Sequence, residues 1–243
     1  MDPMLISLAV FGLFLAGVIK GTTGLGYASC ALPFLVLALG LKTAMAIVIV
    51  PAVATNFGLA LMAGHLKETV LRFQWLYVAI FPGVALGVMM LQWVSQPVAV
   101  QALGIIIVSY GVLALMRPNI SLPERLQTWL QLPTGFLNGV VTGLTGAQVM
   151  PLFPYMMALN LDTDRTVQAI NLAVLVSTTL LAVGLFSAGI LTPWLLLAST
   201  GAVAPALIGT YAGNHLRGKI SAVQFRRIVL IALLLIGLIM LVR

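Results

Sequence analysis

Two glycine-rich stretches carry the residues of this chain whose types and spacing could do chemistry. The first, Gly17 to Pro33, reads GVIKGTTGLGYASCALP, and the second, Gly135 to Pro151, reads GFLNGVVTGLTGAQVMP. A constant offset of 118 residues pairs Lys20 with Asn138 and Gly17 with Gly135. Such an internal duplication predicts two homologous structural units, each with a polar, glycine-rich centre.

The chemistry these stretches favour is anion binding. Glycine permits a helix to break inside a membrane, and the break is tolerated where it is buried or lines a wet cavity. Two breaks would direct helix N-termini, with unpaired N–H groups, toward a common point. Hydroxyl and amide side chains could add donors, and Lys20 a positive charge. The predicted substrate-binding residues of the two stretches are Lys20, Gly21, Thr22, Thr23, Gly24, Gly26, Ser29, Asn138, Gly139, Thr142, Gly143, Thr145, Gly146 and Gln148.

Each of these residues also has a structural interpretation. The glycines could serve close helix packing alone. Lys20 could extend from the end of a short helix to the membrane interface. Polar residues of the third segment of each half could face the same cavity or act as interhelical hydrogen-bonding groups; of these, Asn56 and Asn171 are predicted substrate contacts, and Ser177 and Thr178 accompany them. His65 and His215 follow helices near the interface and are candidates for proton coupling.

The elements that hold these residues must be membrane helices. Of the 243 residues, 61% are hydrophobic and 7% charged, against about 25% charged in soluble domains. Since a spanning helix needs about 20 residues, the sequence predicts an all-α polytopic membrane protein with about eight to ten hydrophobic segments, including short broken helices. No stretch is long or polar enough for a soluble catalytic module.

The segments fall into two sets of five. Residues 1–116 form a predicted first repeat, 117–131 a linker and 132–243 a second repeat, all within one transmembrane domain. In each repeat two short segments flank the glycine-rich stretch: 4–19 and 27–39 in the first, 129–141 and 149–159 in the second. Longer segments follow at 43–63, 73–94 and 98–116, and at 166–188, 193–212 and up to 242. An odd number per repeat predicts inverted repeats, a design that recurs in secondary transporters.

Charge supports this topology and excludes other functions. The net charge is +7, and the basic loops near Lys67, Arg125 and Arg217 can all lie on the cytoplasmic side, with the termini outside. This pattern is typical of membrane orientation and not of nucleic-acid binding. The single cysteine, Cys30, excludes a cysteine metal cluster, and no catalytic motif is present. The sequence therefore predicts no cofactor, no metal and no enzyme activity. The absence of carboxylates from the hydrophobic segments favours an anionic substrate.

The chain resembles the TauE/SafE family of sulfite exporters, also called the toluene-sulfonate uptake permease family. The resemblance rests on G-x-x-K-G-x-x-G-x-G followed by A-L-P, on its second-half counterpart, on the H-L-K loop, and on Gly83 and Gly87. The closing G-N-H-L-R-G-K-I-S-A-V-Q-F-R-R is similar too. The resemblance implies a duplicated membrane transporter that moves small sulfur-containing anions such as sulfite, sulfoacetate or other organosulfonates, commonly by export in bacteria. Together with the predicted inverted repeats, we expect an inner-membrane carrier that works by alternating access.

Two alternatives stay open at the level of sequence. The same polar groups could line an anion channel, or the glycines could serve a membrane scaffold or assembly protein that transports nothing. The partners expected for the transporter are a small sulfur-containing anion and the lipid bilayer. A homo-oligomer is compatible with the sequence.

Overall fold

The computed structural model describes residues 3–24, 26–62, 64–116, 121–216 and 222–242. Within these ranges the secondary structure is helical, without strands. The first half contains α1 (Pro3–Thr23), α2 (Tyr27–Leu39), α3 (Leu41–Met62), α4 (Leu66–Arg72), α5 (Gln74–Trp93) and α6 (Gln96–Met116). The second contains α7 (Glu124–Trp129), α8 (Gln131–Thr145), α9 (Leu152–Ala158), α10 (Thr163–Ser187), α11 (Pro193–Gly201), α12 (Val203–Leu216) and α13 (Ala222–Val242).

The lengths and hydropathy of these helices confirm a polytopic membrane protein. Among the described residues, six spans are long and apolar enough to cross a bilayer: α1, Leu41–Gly58 of α3, α5, α6, α10, and α11 together with α12. Two shorter apolar helices, α2 and the 227–242 part of α13, accompany them. Large hydrophobic side chains such as Phe81 and Trp194 are exposed on the outside of the bundle, as expected of surfaces that face lipid.

The third helices of the two halves, α3 and α10, run antiparallel at the centre of the bundle. Near the start of α10, the Gln168 side chain donates to the carbonyl of Ala60 near the end of α3. Further along α10, Asn171 shares the amine of Lys20 with Asn56, which lies one turn before Ala60. Corresponding helices that run in opposite directions are what an inverted repeat requires.

The most extensive helix–helix contacts join one half to the other. α1 of the first half packs on α12 of the second, and α8 of the second packs on α5 of the first. Both pairs are built on glycines, because a Cβ added at Gly17 or Gly209 would collide with backbone atoms of the partner helix. The same holds for Gly83 and Gly139 in the other pair. Small residues at such crossings let membrane helices approach backbone to backbone.

These crossings correct the register of the repeat. In the first crossing, Gly209 of α12 contacts Phe14 and Gly17 of α1. In the second, Gly83 of α5 contacts Phe136 and Gly139 of α8. Phe14 therefore corresponds to Phe136 and Gly17 to Gly139, and both pairs are 122 residues apart. The glycines that end α1 and α8, Gly24 and Gly146, have left-handed φ values of 77° and the same separation of 122. The offset of 118 is therefore wrong by about one helical turn. In the corrected register Lys20 corresponds to Thr142 rather than to Asn138.

The prolines explain why the offset of 118 is misleading. Pro33 lies inside α2, whereas Pro151 immediately precedes α9 and follows a cis peptide bond. The two prolines are therefore not structural counterparts.

Several predicted boundaries also shift. Lys20 lies in the last turn of α1, which continues to Thr23 instead of ending at residue 19. α8 likewise continues to Thr145 rather than ending at 141. The predicted loop after α3 contains the short helix α4, and the predicted linker contains α7. Arg72 of α4 donates to Gln127 of α7, so these two polar regions lie at the same end of the bundle. Arg217, of the third basic loop, lies outside the described residues.

Candidate functional site

Lys20 is buried at the centre of the bundle. Its residue exposure is 1%, so its side chain does not extend to an interface, and the interfacial alternative is wrong. The Nζ atom donates to Asn56 Oδ1 at 2.6 Å and to Asn171 Oδ1. We call Lys20, Asn56 and Asn171 the lysine layer.

The lysine layer joins both halves of the protein. Lys20 and Asn56 come from α1 and α3 of the first half, and Asn171 comes from α10 of the second. The amide nitrogens of the two asparagines donate to backbone carbonyls: Asn56 to Ala52 at 2.6 Å, and Asn171 to Gly24 at 3.1 Å. Because Gly24 lies directly after α1, the hydrogen bond from Asn171 also connects the first helix break to α10.

The first break is formed by glycine geometry. Gly24 and Gly26 have φ values of 77° and 82°, in the left-handed region that glycine adopts at little cost. α1 therefore ends at Thr23, and α2 starts at Tyr27 with Gly26 as its N-cap. The break places the end of one helix beside the start of the next, as the sequence predicts.

The second break is longer and less helical. α8 ends at Thr145, Gly146 is left-handed, and α9 begins only at Leu152. The Thr142 hydroxyl donates to the carbonyl of Ala147 at 3.3 Å, and the Thr145 hydroxyl accepts from the amide of Ala147 at 3.2 Å. Local side-chain bonds of this kind hold an irregular backbone in place.

Two amide side chains from the second half lie against one turn of α10. Asn138 Nδ2 donates to Ser177 Oγ at 3.4 Å, and Gln148 Nε2 donates to Thr178 Oγ1 at 2.9 Å. All four side chains are buried. We call this set, with Ser29, the amide layer, since the backbone amide of Gln148 donates to Ser29 Oγ at 3.3 Å. That contact brings the first turn of α2 against the second break, so the two breaks meet.

The remaining predicted substrate contacts lie around these layers. The hydroxyls of Thr22 and Thr23 donate to carbonyls one turn back in α1, including that of Ile19. Gly21, Gly139 and Gly143 lie at the helix crossings, where they contact partner backbone. The structure thus gives these three glycines a packing role.

The two histidines lie apart from both layers. His65 precedes α4 and is exposed, with Nδ1 3.7 Å from Glu68 Oε2. His215 is exposed in the last turn of α12, where its ring lies 4.5 Å from that of Tyr211. Neither contributes a side-chain contact to the lysine layer or the amide layer.

The electrostatic surroundings of Lys20 contain no carboxylate partner in the part of the chain that the structure describes. The four acidic residues there, Glu68, Glu124, Asp162 and Asp164, are all exposed. Their ion pairs are with His65 and Arg165 at the protein surface. Burying a charged amine without a counter-ion is costly unless other polar groups stabilise it, and here two amide oxygens provide that stabilisation.

Sequence comparison now adds an independent observation. The family described as Sulfite exporter TauE/SafE matches residues 9–240, nearly the whole chain. The chain belongs to the TauE/SafE family. Its membership confirms the resemblance found in the motifs and makes the chain a multi-pass membrane protein of a transporter family, for which an anion exporter is the function implied. No curated protein and no solved structure shows a significant match.

One relation that the motifs contain was missed in the sequence. Gly21-Thr22-Thr23-Gly24 and Gly143-Leu144-Thr145-Gly146 both read G-x-T-G and are 122 residues apart. Aligning these tetrapeptides identifies Thr142 as the counterpart of Lys20. The pairing of Pro33 with Pro151 at an offset of 118 obscured this relation, although an offset of 122 gives more identities.

Proposed function

We propose that the protein is a secondary transporter of small sulfur oxyanions in a bacterial inner membrane, with the anion bound at the lysine layer. The observation that carries the proposal is the buried amine of Lys20, whose described side-chain contacts are the amide oxygens of Asn56 and Asn171. An ionisable residue inside a membrane bundle is by default a functional candidate. An anion would supply the counter-charge that the described carboxylates do not.

The side-chain amides of the lysine layer can hydrogen-bond to Lys20 when the site is empty, and that of Asn56 can also bond to an anion when it is bound. An asparagine side chain carries two donors beside its oxygen. When an anion takes the amine of Lys20, Asn56 can offer its second Nδ2 hydrogen, since one is bonded to Ala52, while Asn171 Nδ2 stays bonded to Gly24 and Val167. Sulfite or a sulfonate has several acceptor oxygens for such donors. The geometry supports an anion, and the sulfur in its identity comes from the family alone.

Burial favours a carrier over a channel. All three side chains of the lysine layer have exposures of 2% or less, so an anion reaches them only after helices separate. Because Lys20, Asn56 and Asn171 come from three different helices, α1, α3 and α10, a movement of these helices relative to one another would open and close the layer. Alternating access of inverted repeats around a central site is an established transporter design.

The membrane potential is sufficient to drive export. Moving one negative charge out of a negative interior gains about 2.3 kcal/mol per 100 mV. Neither a metal nor a cofactor enters this proposal.

The test is a thermal-shift series on the purified protein with sulfite, sulfate, thiosulfate, sulfoacetate, taurine and matched carboxylates. A ligand that binds the folded state raises its stability by mass action. We expect at least one sulfur anion to raise the melting temperature of the wild type. In Lys20→Met, the apparent affinity for that anion should fall at least 100-fold. Lys42→Met, at an exposed position near the start of α3, serves as the matched control.

The same variants would then be assayed for sulfite efflux from liposomes. Saturable flux that requires Lys20 would support the carrier. Flux that persists in Lys20→Met would move the site elsewhere, and a lack of both stabilisation and flux would favour the scaffold alternative.

A further inference from the structure

The amide layer differs from the lysine layer in having unsatisfied acceptors. Asn138 Oδ1 and Gln148 Oε1 are buried and have no hydrogen-bond partner among the described residues. Both residues are almost fully enclosed, with exposures of 0% and 2%. A buried polar atom without a partner is costly, so two of them in one layer indicate that something else satisfies them.

The hydroxyl groups of the layer cannot satisfy these oxygens, because their hydrogens are already used. Ser177 donates to the carbonyl of Ala173 at 2.8 Å, and Thr178 donates to that of Val174 at 2.8 Å. Each hydroxyl can therefore only accept from its amide partner, which fixes the amide nitrogens toward α10 and leaves the amide oxygens unpaired. Such a layer presents oxygen lone pairs and would repel an anion.

The corrected register shows how the second helix break differs from the first. Thr142 of α8 is the counterpart of Lys20 of α1. In α1 a basic residue occupies the last turn, whereas α8 has none there. Cations are favoured at helix C-termini. The C-terminal end of α8 therefore lacks the ammonium group that α1 carries.

We propose that the amide layer, which lies at the second helix break, binds a sodium ion. The ligating groups would come from Asn138, Gln148, Ser177, Thr178 and Ser29. Oxygen ligands suit hard cations. Because these oxygens are uncharged and the described residues contain no acidic cluster, the layer suits a monovalent ion better than Ca²⁺ or Mg²⁺. Interrupted membrane helices provide sodium sites of this kind in transporters.

Sodium binding would also assist the anion. Asn171 and Thr178 are seven residues apart on α10, which puts them on the same face about 10 Å apart along the axis. Opposite charges at that distance inside a protein attract each other. The sodium site rests on its own contacts, whereas its coupling to an anion rests on the proposed function.

The first experiment measures sodium alone. NaCl replaces choline chloride at constant ionic strength while the melting temperature of the purified full-length protein is recorded, with KCl as a second comparison. We expect a saturable rise with Na⁺ and none with K⁺. Equal effects of Na⁺, K⁺ and choline would overturn the proposal.

Variants then locate the site. Gln148→Met removes an unpaired oxygen while keeping a similar side-chain volume. Thr178→Val removes a hydroxyl while keeping a similar side-chain shape. Each variant should lower the apparent affinity for sodium at least tenfold. Gln168→Met is the matched control, because Gln168 is equally buried on α10 but both its amide atoms have partners. Thr142→Lys should abolish the response by supplying an ammonium group. A response that survives Gln148→Met and Thr178→Val alike would place sodium elsewhere and refute the assignment.

A last comparison separates this proposal from the transport function. Lys20→Met should lose the response to sulfite and keep the response to sodium. In the wild type, sulfite should bind at least threefold tighter in Na⁺ than in choline. Sodium binding without this effect would refute the coupling and leave the cation site in place. A sodium response lost together with the sulfite response in Lys20→Met would refute two separate sites.

Discussion

The lysine layer lies at the first helix break and the amide layer at the second, yet their hydrogen bonding differs. In the first layer, Lys20 donates to two amide oxygens. In the second, two amide oxygens have no donor among the described residues. The backbone at the breaks is alike, with left-handed Gly24 and Gly146 ending α1 and α8. The repeat thus preserves the helix breaks and crossings while the side chains at those breaks differ, and on this difference rests the proposal that the two layers bind ions of opposite charge.

The comparison suggests how two repeats with the same fold can bind different ligands. Two identical layers would bind the same ligand twice. Thr142, the counterpart of Lys20, carries no charge and donates to the carbonyl of Ala147, while the glycine contacts of the two helices are alike. An anion and a cation can then be bound on one face of α10, close enough to influence each other and far enough apart to occupy separate contacts.

The largest effect should come from giving the lysine layer its own counter-ion. Asn56→Asp places a carboxylate beside the amine of Lys20, where it would compete with any bound anion. We expect the apparent affinity for the sulfur anion to fall at least 100-fold, which corresponds to about 2.7 kcal/mol. Thermal-shift titration with sulfite measures this change.

Asn160→Asp is the matched control for this substitution, because it makes the same charge change at an exposed position. It should leave the sulfite titration unchanged. An undiminished sulfite response in Asn56→Asp would show that the anion does not bind at Lys20.

An intermediate effect tests whether the two helix crossings are equivalent. Gly21→Ala and Gly143→Ala each introduce a Cβ against partner backbone, in α12 and α5 respectively. Overpacking of this kind costs about 1–3 kcal/mol. Because the corrected register makes these glycines counterparts, we expect similar losses of stability from the two variants, measured by thermal unfolding in detergent.

Gly58→Ala is the control for the two crossing variants. Gly58 lies within α3 and has no atom within 4 Å of an added Cβ, so alanine there should be neutral or stabilise by about 0.5–1 kcal/mol. Destabilisation by Gly58→Ala equal to that of the crossing variants would show a general sensitivity of the helices to alanine. Unequal losses at Gly21 and Gly143 would contradict the register of 122.

Composition and hydrophobic runs were sufficient to predict the helical membrane fold, because the runs are about as long as a spanning helix and such a helix satisfies its own backbone hydrogen bonds. Most segment positions followed from the same runs. The ends of α1 and α8 did not, since Lys20 and Thr142 are polar and their inclusion depends on partners elsewhere. Lys20 is tolerated within a helix only because Asn56 and Asn171 accept its hydrogen bonds, and both are distant in sequence.

The candidate site was predictable as a set of residues but not as two layers. The glycine-rich stretches identified Lys20, Asn138 and Gln148. Which of them donate and which accept depends on the rotation of each helix and on hydroxyls already bonded to their own backbone. Ser177 and Thr178 show this, because their hydrogens are committed to carbonyls of α10, and nothing in their sequence spacing indicates that.

The smallest expected effect concerns His65 and His215, the predicted candidates for proton coupling. Both are exposed, and their described partners are Glu68 and Tyr211 rather than members of either layer. If the membrane potential drives export, His65→Gln and His215→Gln should each keep sulfite flux within twofold of the wild-type flux at every pH between 5.5 and 8. Flux into liposomes at fixed membrane potential measures this directly. Loss of the pH dependence of flux in either variant would instead assign the proton to that histidine and make the lysine layer one part of a proton-coupled carrier.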